Sequence, residues 1–185
     1  MDSHLNSSYQ RQGGFFSAMF RKMFGGESFF LGKYSHKNGG KLTFAPAVPG
    51  SVERYFLSNN KLNIMAGSFL ACTPGVNVKA KFGGFKALFS GEGAFLLEAS
   101  GNGDLFFNSF GGIVEKKIEG DFIVDSGHVV AFETSLNYKI SGMGNWKSTM
   151  LSGEGLVMTF NGSGKIYLQT RTIDSLASWL TPRLL

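Results

Sequence analysis

The chain repeats itself, and a repeat limits the fold more than any single motif does. Each copy must adopt one supersecondary unit and bury its apolar face against its neighbours. Three signposts mark the copies: Gly26-Glu27-Ser28, Gly91-Glu92-Gly93 and Gly153-Glu154-Gly155. Glu27, Glu92 and Glu154 stand at nearly equal intervals along the chain. An apolar pair precedes each Glu (Met23-Phe24, Leu88-Phe89, Met150-Leu151), and an apolar stretch follows it (Phe29-Phe30-Leu31, Phe95-Leu96-Leu97, Leu156-Val157-Met158). Glycine turns are then expected at Gly39-Gly40, Gly101-Asn102-Gly103 and Gly162-Ser163-Gly164, the last a hairpin turn. Returning strands are expected at 41–44, 104–107 and 165–168.

A second landmark recurs. Ile64-Met65-Ala66-Gly67-Ser68-Phe69-Leu70-Ala71 aligns with Val124-Asp125-Ser126-Gly127-His128-Val129-Val130-Ala131, with Gly67 and Gly127 again about one repeat apart. Val76–Phe82 and Leu136–Ile140 alternate with period two, which predicts strands with one buried face. Before each Glu the rhythm changes. Phe16, Met19, Phe20 and Met23 fall on one helical face, with weaker versions at 82–89 and 146–151, and glycine closes each as a C-cap. A further amphipathic helix is expected over Ser175–Leu180, stopped at Pro182.

These patterns predict an all-β fold of repeated β-sandwich or double-stranded β-helix units with short helices at the repeat junctions. With 26 Gly and only 4 Pro in 185 residues, many tight turns join short strands. Residues 1–14 show no alternation and are expected to be poorly ordered. Residues 15–185 form a single domain: a first copy over 15–81, incomplete at its start, a second over 82–141, and a partial third over 142–185.

The motif set Gly-Gly-Glu-Ser-Phe-Phe at 25–30, Phe-Ala-Pro at 44–46, Ser-Gly-Glu-Gly at 90–93, Val-Asp-Ser-Gly-His-Val-Val-Ala-Phe-Glu at 124–133 and Tyr-Leu-Gln-Thr-Arg at 167–171 resembles the altered-inheritance-of-mitochondria protein twenty-four family. The resemblance covers residues 13 to about 181. It implies a fold similar to the trp RNA-binding attenuation protein. It also implies a kinship of largely uncharacterised bacterial proteins, with relatives tied to mitochondrial biogenesis. It implies no activity that transfers to a residue. The expected compartment is the bacterial cytoplasm, or the mitochondrion in a eukaryotic host.

The residues themselves point away from catalysis. Glu27, Glu92 and Glu154 could converge on a metal or cationic ligand. A residue kept in every copy normally serves the repeat's geometry, so these carboxylates are expected to hold backbone N–H groups at helix-to-strand junctions. The three His (His4, His36, His128) are scattered, and His128 with Glu133 supplies too few ligands for a transition metal. Asp125-Ser126-Gly127-His128 looks like a triad fragment, but its copy reads Met65-Ala66-Gly67-Ser68, so a turn is expected. Cys72, the single Cys, precedes Thr73-Pro74 and reads as a structural thiol. No catalytic residue, metal or cofactor is expected.

A net charge of +5 admits polyanionic partners. Lys79 and Lys81 would project from one strand face and are the candidate polyanion contact of an RNA-binding alternative. Phe16, Phe20, Arg21 and Lys22 admit two readings, packing on the sheet or a membrane-facing helix at a lipid surface. The function expected is a non-catalytic scaffold or binding protein that forms homo-oligomers and associates peripherally with a membrane. A small-molecule or metal-binding protein is the other alternative.

Overall fold

The computed structural model describes residues 6–11, 30–81, 96–142 and 156–184. The described chain is predominantly antiparallel β-structure with one α-helix. Strand β1 (Asn6–Arg11) pairs with β2 (Phe30–Ser35) in a two-stranded sheet. Thus the segment 1–14, expected to be poorly ordered, contains a strand. Backbone pairing to β2 places it there without any alternation of side chains.

The other strands form one eight-stranded sheet. They are β3 (Val52–Met65), β4 (Phe69–Cys72), β5 (Val76–Lys81), β6 (Leu96–Asn108), β7 (Ile113–Asp125), β8 (Val129–Glu133), β9 (Asn137–Gly142) and β10 (Leu156–Gln169). Their order is β4-β6-β3-β8-β10-β7, with β5 also on β6 and β9 also on β10. Two long antiparallel pairs, β3 with β6 and β7 with β10, run the length of the sheet. Short β8 joins them, pairing with both β3 and β10. Single 3-10 turns, Ala66–Ser68 and Ser126–His128, connect β3 to β4 and β7 to β8, where the second sequence landmark predicts a turn.

Two sequence expectations fail here. Gly101-Asn102-Gly103 and Gly162-Ser163-Gly164 are not turns between strands but lie inside β6 and β10. Each glycine pair lets a long strand bend around a corner of its neighbour. Gly101 has φ +118, and a Cβ there would stand 2.3 Å from the Gly75 carbonyl oxygen. The corner Thr73-Pro74-Gly75 is stitched to this bend through Thr73 N–H to Asp104 O (2.9 Å) and Asn102 N–H to Gly75 O (3.0 Å). Residues 41–44, expected as a returning strand, have no regular secondary structure.

The core lies in two clusters. Leu57, Leu62, Leu97, Leu105 and Phe107 centre one, and Ile118, Phe132, Met158, Phe160 and Ile166 centre the other; all are at most 3% exposed. The aromatic contacts of the second are edge-on: Phe132 meets Phe160 at 5.0 Å and Tyr138 at 5.1 Å between ring centroids.

The helix α1 (Ile173–Leu184) starts two residues earlier than predicted and runs past Pro182. Thr172 caps it, its hydroxyl accepting the Ser175 N–H at 3.1 Å, a Thr-x-x-Ser start that the sequence reading overlooked. Pro182 sits in the last turn, where it costs one backbone bond, while Thr181 donates to Ala177 O and Arg183 to Trp179 O. The junction helices expected at 15–24, 82–89 and 146–151 lie outside the described residues.

Candidate functional site

Among the described residues a group of titratable side chains gathers where β3, β7, β8 and β10 come together. Alternation puts Glu115 on β7 and Lys165 on β10 on one face, two rungs apart, and their side chains meet at 2.7 Å. Tyr167 on the same face of β10 is 4% exposed, edge-on to Tyr55 of β3 at 6.2 Å and to Phe107 at 5.2 Å. The Tyr55 hydroxyl accepts from Asn60 at 3.1 Å. Glu133, at the end of β8, takes the Lys165 backbone N–H at 3.0 Å.

Every resolved shift in this group leads away from neutrality. The Lys165 ammonium, with some help from the Tyr167 hydroxyl, holds the Glu115 carboxyl below the usual range against the effect of burial. Glu115 in turn raises Lys165. Burial, reinforced by Glu115, pushes Tyr167 well above 10.0, and burial with Glu133 raises Tyr55. The two phenols are therefore neutral and the Glu–Lys pair is ionised. The arrangement clamps four strands together, and none of these shifts brings a group toward the pKa near 7 that general acid–base work favours. The sequence reading missed the cluster. Its available signal was an inverted charge pair: Arg54 and Asp104, which meet at 2.8 Å, stand one repeat before Glu115 and Lys165.

The triad-like segment is held as a turn, as expected. The Asp125 carboxylate accepts the Gly127 N–H at 2.8 Å, and His128 Nδ1 is bonded to the Gln169 carbonyl at 2.7 Å. Gln169 also donates to Gly127 O and accepts the Phe110 N–H. Imidazole and carboxylate are thus tied to the backbone on separate partners. Cys72 closes β4 half-buried, and burial pushes its thiol pKa up, which favours the unreactive form. Asn63, 3% exposed on β3, has a side-chain oxygen without a hydrogen-bond partner among the described residues.

Lys79 and Lys81 lie on one face of β5, at alternate positions. Lys81 pairs with Glu98 of β6, which also holds Lys61 at 3.1 Å. One carboxylate therefore holds two ammonium groups, and the Lys81 ammonium pulls the Glu98 pKa down against the effect of burial. Glu27, Glu92 and Glu154 lie outside the described residues, as do Phe16, Phe20, Arg21 and Lys22. No described helix is long and apolar enough to cross a membrane.

Comparison with known proteins fits this architecture. An uncharacterised protein of Streptococcus pyogenes serotype M6 is 32% identical over 183 residues, covering 97% of this chain and 74% of the relative. The crystal structure of a Streptococcus pyogenes protein solved as a structural-genomics target superposes with a TM-score of 0.78 at 30% identity, covering 97% of this chain and 83% of that one. The profile of one family, described as mitochondrial biogenesis AIM24, matches residues 1–171, and the chain belongs to that family.

Proposed function

We propose that the protein is a non-catalytic scaffold of repeated β units that associates with further copies of itself. The observation that carries this reading is the apolar surface left on the two long strands β3 and β7. Phe56 is 57% exposed, Val52 46% and Ile123 66%, and exposed apolar side chains on a sheet mark interaction sites. The charged groups described above hold strands together, which is work for a scaffold.

The repeat itself is supported by register. The hydrogen-bonded partners of β3 with β6 correspond to those of β7 with β10 at an offset of one repeat, and the offset changes once, by a single position, at Asn59, an extra residue with φ 56. Small bonds recur too. The Thr73 hydroxyl accepts Asp104 N–H as the Glu133 carboxylate accepts Lys165 N–H, and Val76 N–H to Thr73 O matches Leu136 N–H to Glu133 O. Units of this kind suit the double-stranded fold similar to the trp RNA-binding attenuation protein. The bacterial relatives support a bacterial host, and a cytoplasmic place of action is part of the same proposal.

A second reading, at a membrane surface, is favoured by α1, which buries no residue and exposes Ile173, Leu176 and Trp179. Co-sedimentation with anionic vesicles that is lost in Trp179→Ala would support it. An RNA-binding role predicts affinity that falls steeply with salt and disappears when Lys79 and Lys81 both become Glu. The deciding measurement is native mass spectrometry of protein purified gently from its own cells. A homo-oligomer without extra mass is expected, whereas nucleic acid or a discrete ligand on each subunit would overturn the scaffold.

A further inference from the structure

The two halves of the large sheet are joined by one short seam, and both sides of that seam recur at its outer ends. In the seam, Leu62, Asn63 and Ile64 of β3 pair antiparallel with Glu133, Phe132 and Ala131 of β8. One repeat after the β3 side come Phe122, Ile123 and Val124 on β7. One repeat before the β8 side come Thr73, Cys72 and Ala71, at the end of β4. Among the described residues β7 pairs only with β10, and β4 only with β6, so each has one unpaired edge.

Burial locates what is missing. Leu62 and Ile64 are fully buried and Asn63 is 3% exposed, whereas Ile123 is 66% exposed and its neighbours Phe122 and Val124 are half-buried. On the opposite side, Val129 to Phe132 of β8 are all buried, and all four residues of β4 are only half-buried. The inner edges match already: Ala71 and Cys72 face Phe106 and Leu105 just as Ala131 and Phe132 face Tyr167 and Ile166. Neither stretch carries a Lys or Pro of its own, reading Phe-Ile-Val and Phe-Leu-Ala-Cys; Lys116 lies over the Phe122 ring at 5.2 Å and Pro74 follows Thr73, so the guards flank the seam and do not interrupt it.

We infer that a second copy of this chain fills the gap: β4 of one copy adds to β7 of the next, with Ala71 opposite Val124, Cys72 opposite Ile123 and Thr73 opposite Phe122. The inference rests on the repeat reading above. A second copy is the occupant because the chain already contains this seam, with both sides in the same register. The two surfaces differ, so the contact is head-to-tail, and its rotation decides between a closed ring and a filament.

Cys72 is the single cysteine, which makes the register testable. Directly opposed residues of an antiparallel pair bring their Cα atoms within about 4.5–5.5 Å, inside disulfide range. Ile123→Cys is expected to give, under mild oxidation, a ladder of dimers and higher species that collapses on reduction. Val114→Cys, at the other end of β7, is expected to give none, and Ile123→Cys with Cys72→Ser no more than a dimer. An Ile123→Cys protein that stays a single chain, or that ladders no better than Val114→Cys, would overturn the inference. So would a wild-type monomer in native mass spectrometry, its β4 edge covered by its own residues or by another protein. Leu105→Ala and Ile166→Ala, at equivalent buried positions, test the repeat separately. Similar losses of stability with no ladder would overturn the head-to-tail contact alone, and clearly unequal losses would remove the repeat on which it rests.

Discussion

Phe132→Ala should be among the most damaging single changes in the described fold, because Phe132 sits in the middle of the seam. It is fully buried, pairs with Asn63 on one side and Ile166 on the other, and packs edge-on against Phe160 and Tyr138. Truncating a buried Phe costs about 3–5 kcal/mol through lost transfer energy and the cavity left behind. Two lost edge-on ring contacts and a site hemmed by β-strands, which collapse poorly, favour the upper part of that range. For a chain of this size about 4 kcal/mol corresponds to a fall in Tm of roughly 8–16 °C. Urea unfolding followed by fluorescence should show the midpoint falling with the slope unchanged. Cys72→Ala, at the equivalent but half-buried position of β4, should cost only about 1 kcal/mol. A Phe132→Ala loss below about 1.5 kcal/mol, or a loss no larger than that of Cys72→Ala, would refute the view that β8 locks the two halves together.

Glu98 has a lowered pKa through Lys81 and Lys61, so its contribution is complete above the unfolded value near 4.5 and fades as pH falls through the folded one. Glu98→Gln should flatten the acid limb of the stability curve below about pH 4.5, and an unchanged limb in acid titration would reject the pairing. Tyr167 is raised instead, so its neutral form stabilises the fold up to about pH 10 and the advantage drains away above it, as the unfolded phenol ionises. Ultraviolet absorbance of phenolate should show a late-titrating phenol that Tyr167→Phe removes, together with a shallower alkaline loss of stability. Gly101 and Gly120 both have positive φ, but a Cβ meets backbone at 2.3 Å only at Gly101. Gly101→Ala should therefore cost well beyond the roughly 1–2 kcal/mol of dihedral strain expected for Gly120→Ala, and equal losses in thermal melts would refute the corner contact.

Much of this fold could be read from residue order, and the failures have identifiable causes. Period-two alternation located β5, and the recurrence around Gly67 and Gly127 located both 3-10 turns and the strands after them. The mid-strand glycines were misread because local propensity treats Gly-x-Gly as a turn, whereas here tertiary contact decides. Gly101 yields to the Gly75 carbonyl, and at Gly164 a Cβ would crowd the Ser135 side chain, so the chain bends without reversing. Such close approaches belong to residues far apart in sequence and leave no local trace. The polar cluster was missed for a similar reason: Tyr55, Glu115, Glu133 and Lys165 come from four strands. Pairwise comparison of the copies would have exposed it, since a charge pair that inverts between copies keeps its geometry while losing its residue identity.

That inversion bears on how the two halves came to differ. Arg54–Asp104 and Glu115–Lys165 occupy equivalent diagonal positions of the two copies, so either sign would hold an isolated unit equally well. What differs is the setting. The Glu115–Lys165 pair lies beside Tyr55, Tyr167 and Glu133, at the seam where β3 meets β8, and Lys165 there answers two carboxylates. Among the described residues Arg54 pairs only with Asp104, at the end of the sheet that carries β4, and its side chain is 65% exposed. The charge arrangement therefore distinguishes the joined end of a unit from the unjoined one. If copies associate through β4 and β7, Arg54 and Asp104 would come to lie beside the new seam much as Glu115 and Lys165 lie beside the existing one. The equivalent pair at the existing seam keeps 44% and 48% of its side chains exposed, so the electrostatic part of a head-to-tail contact of that kind should weaken as salt rises.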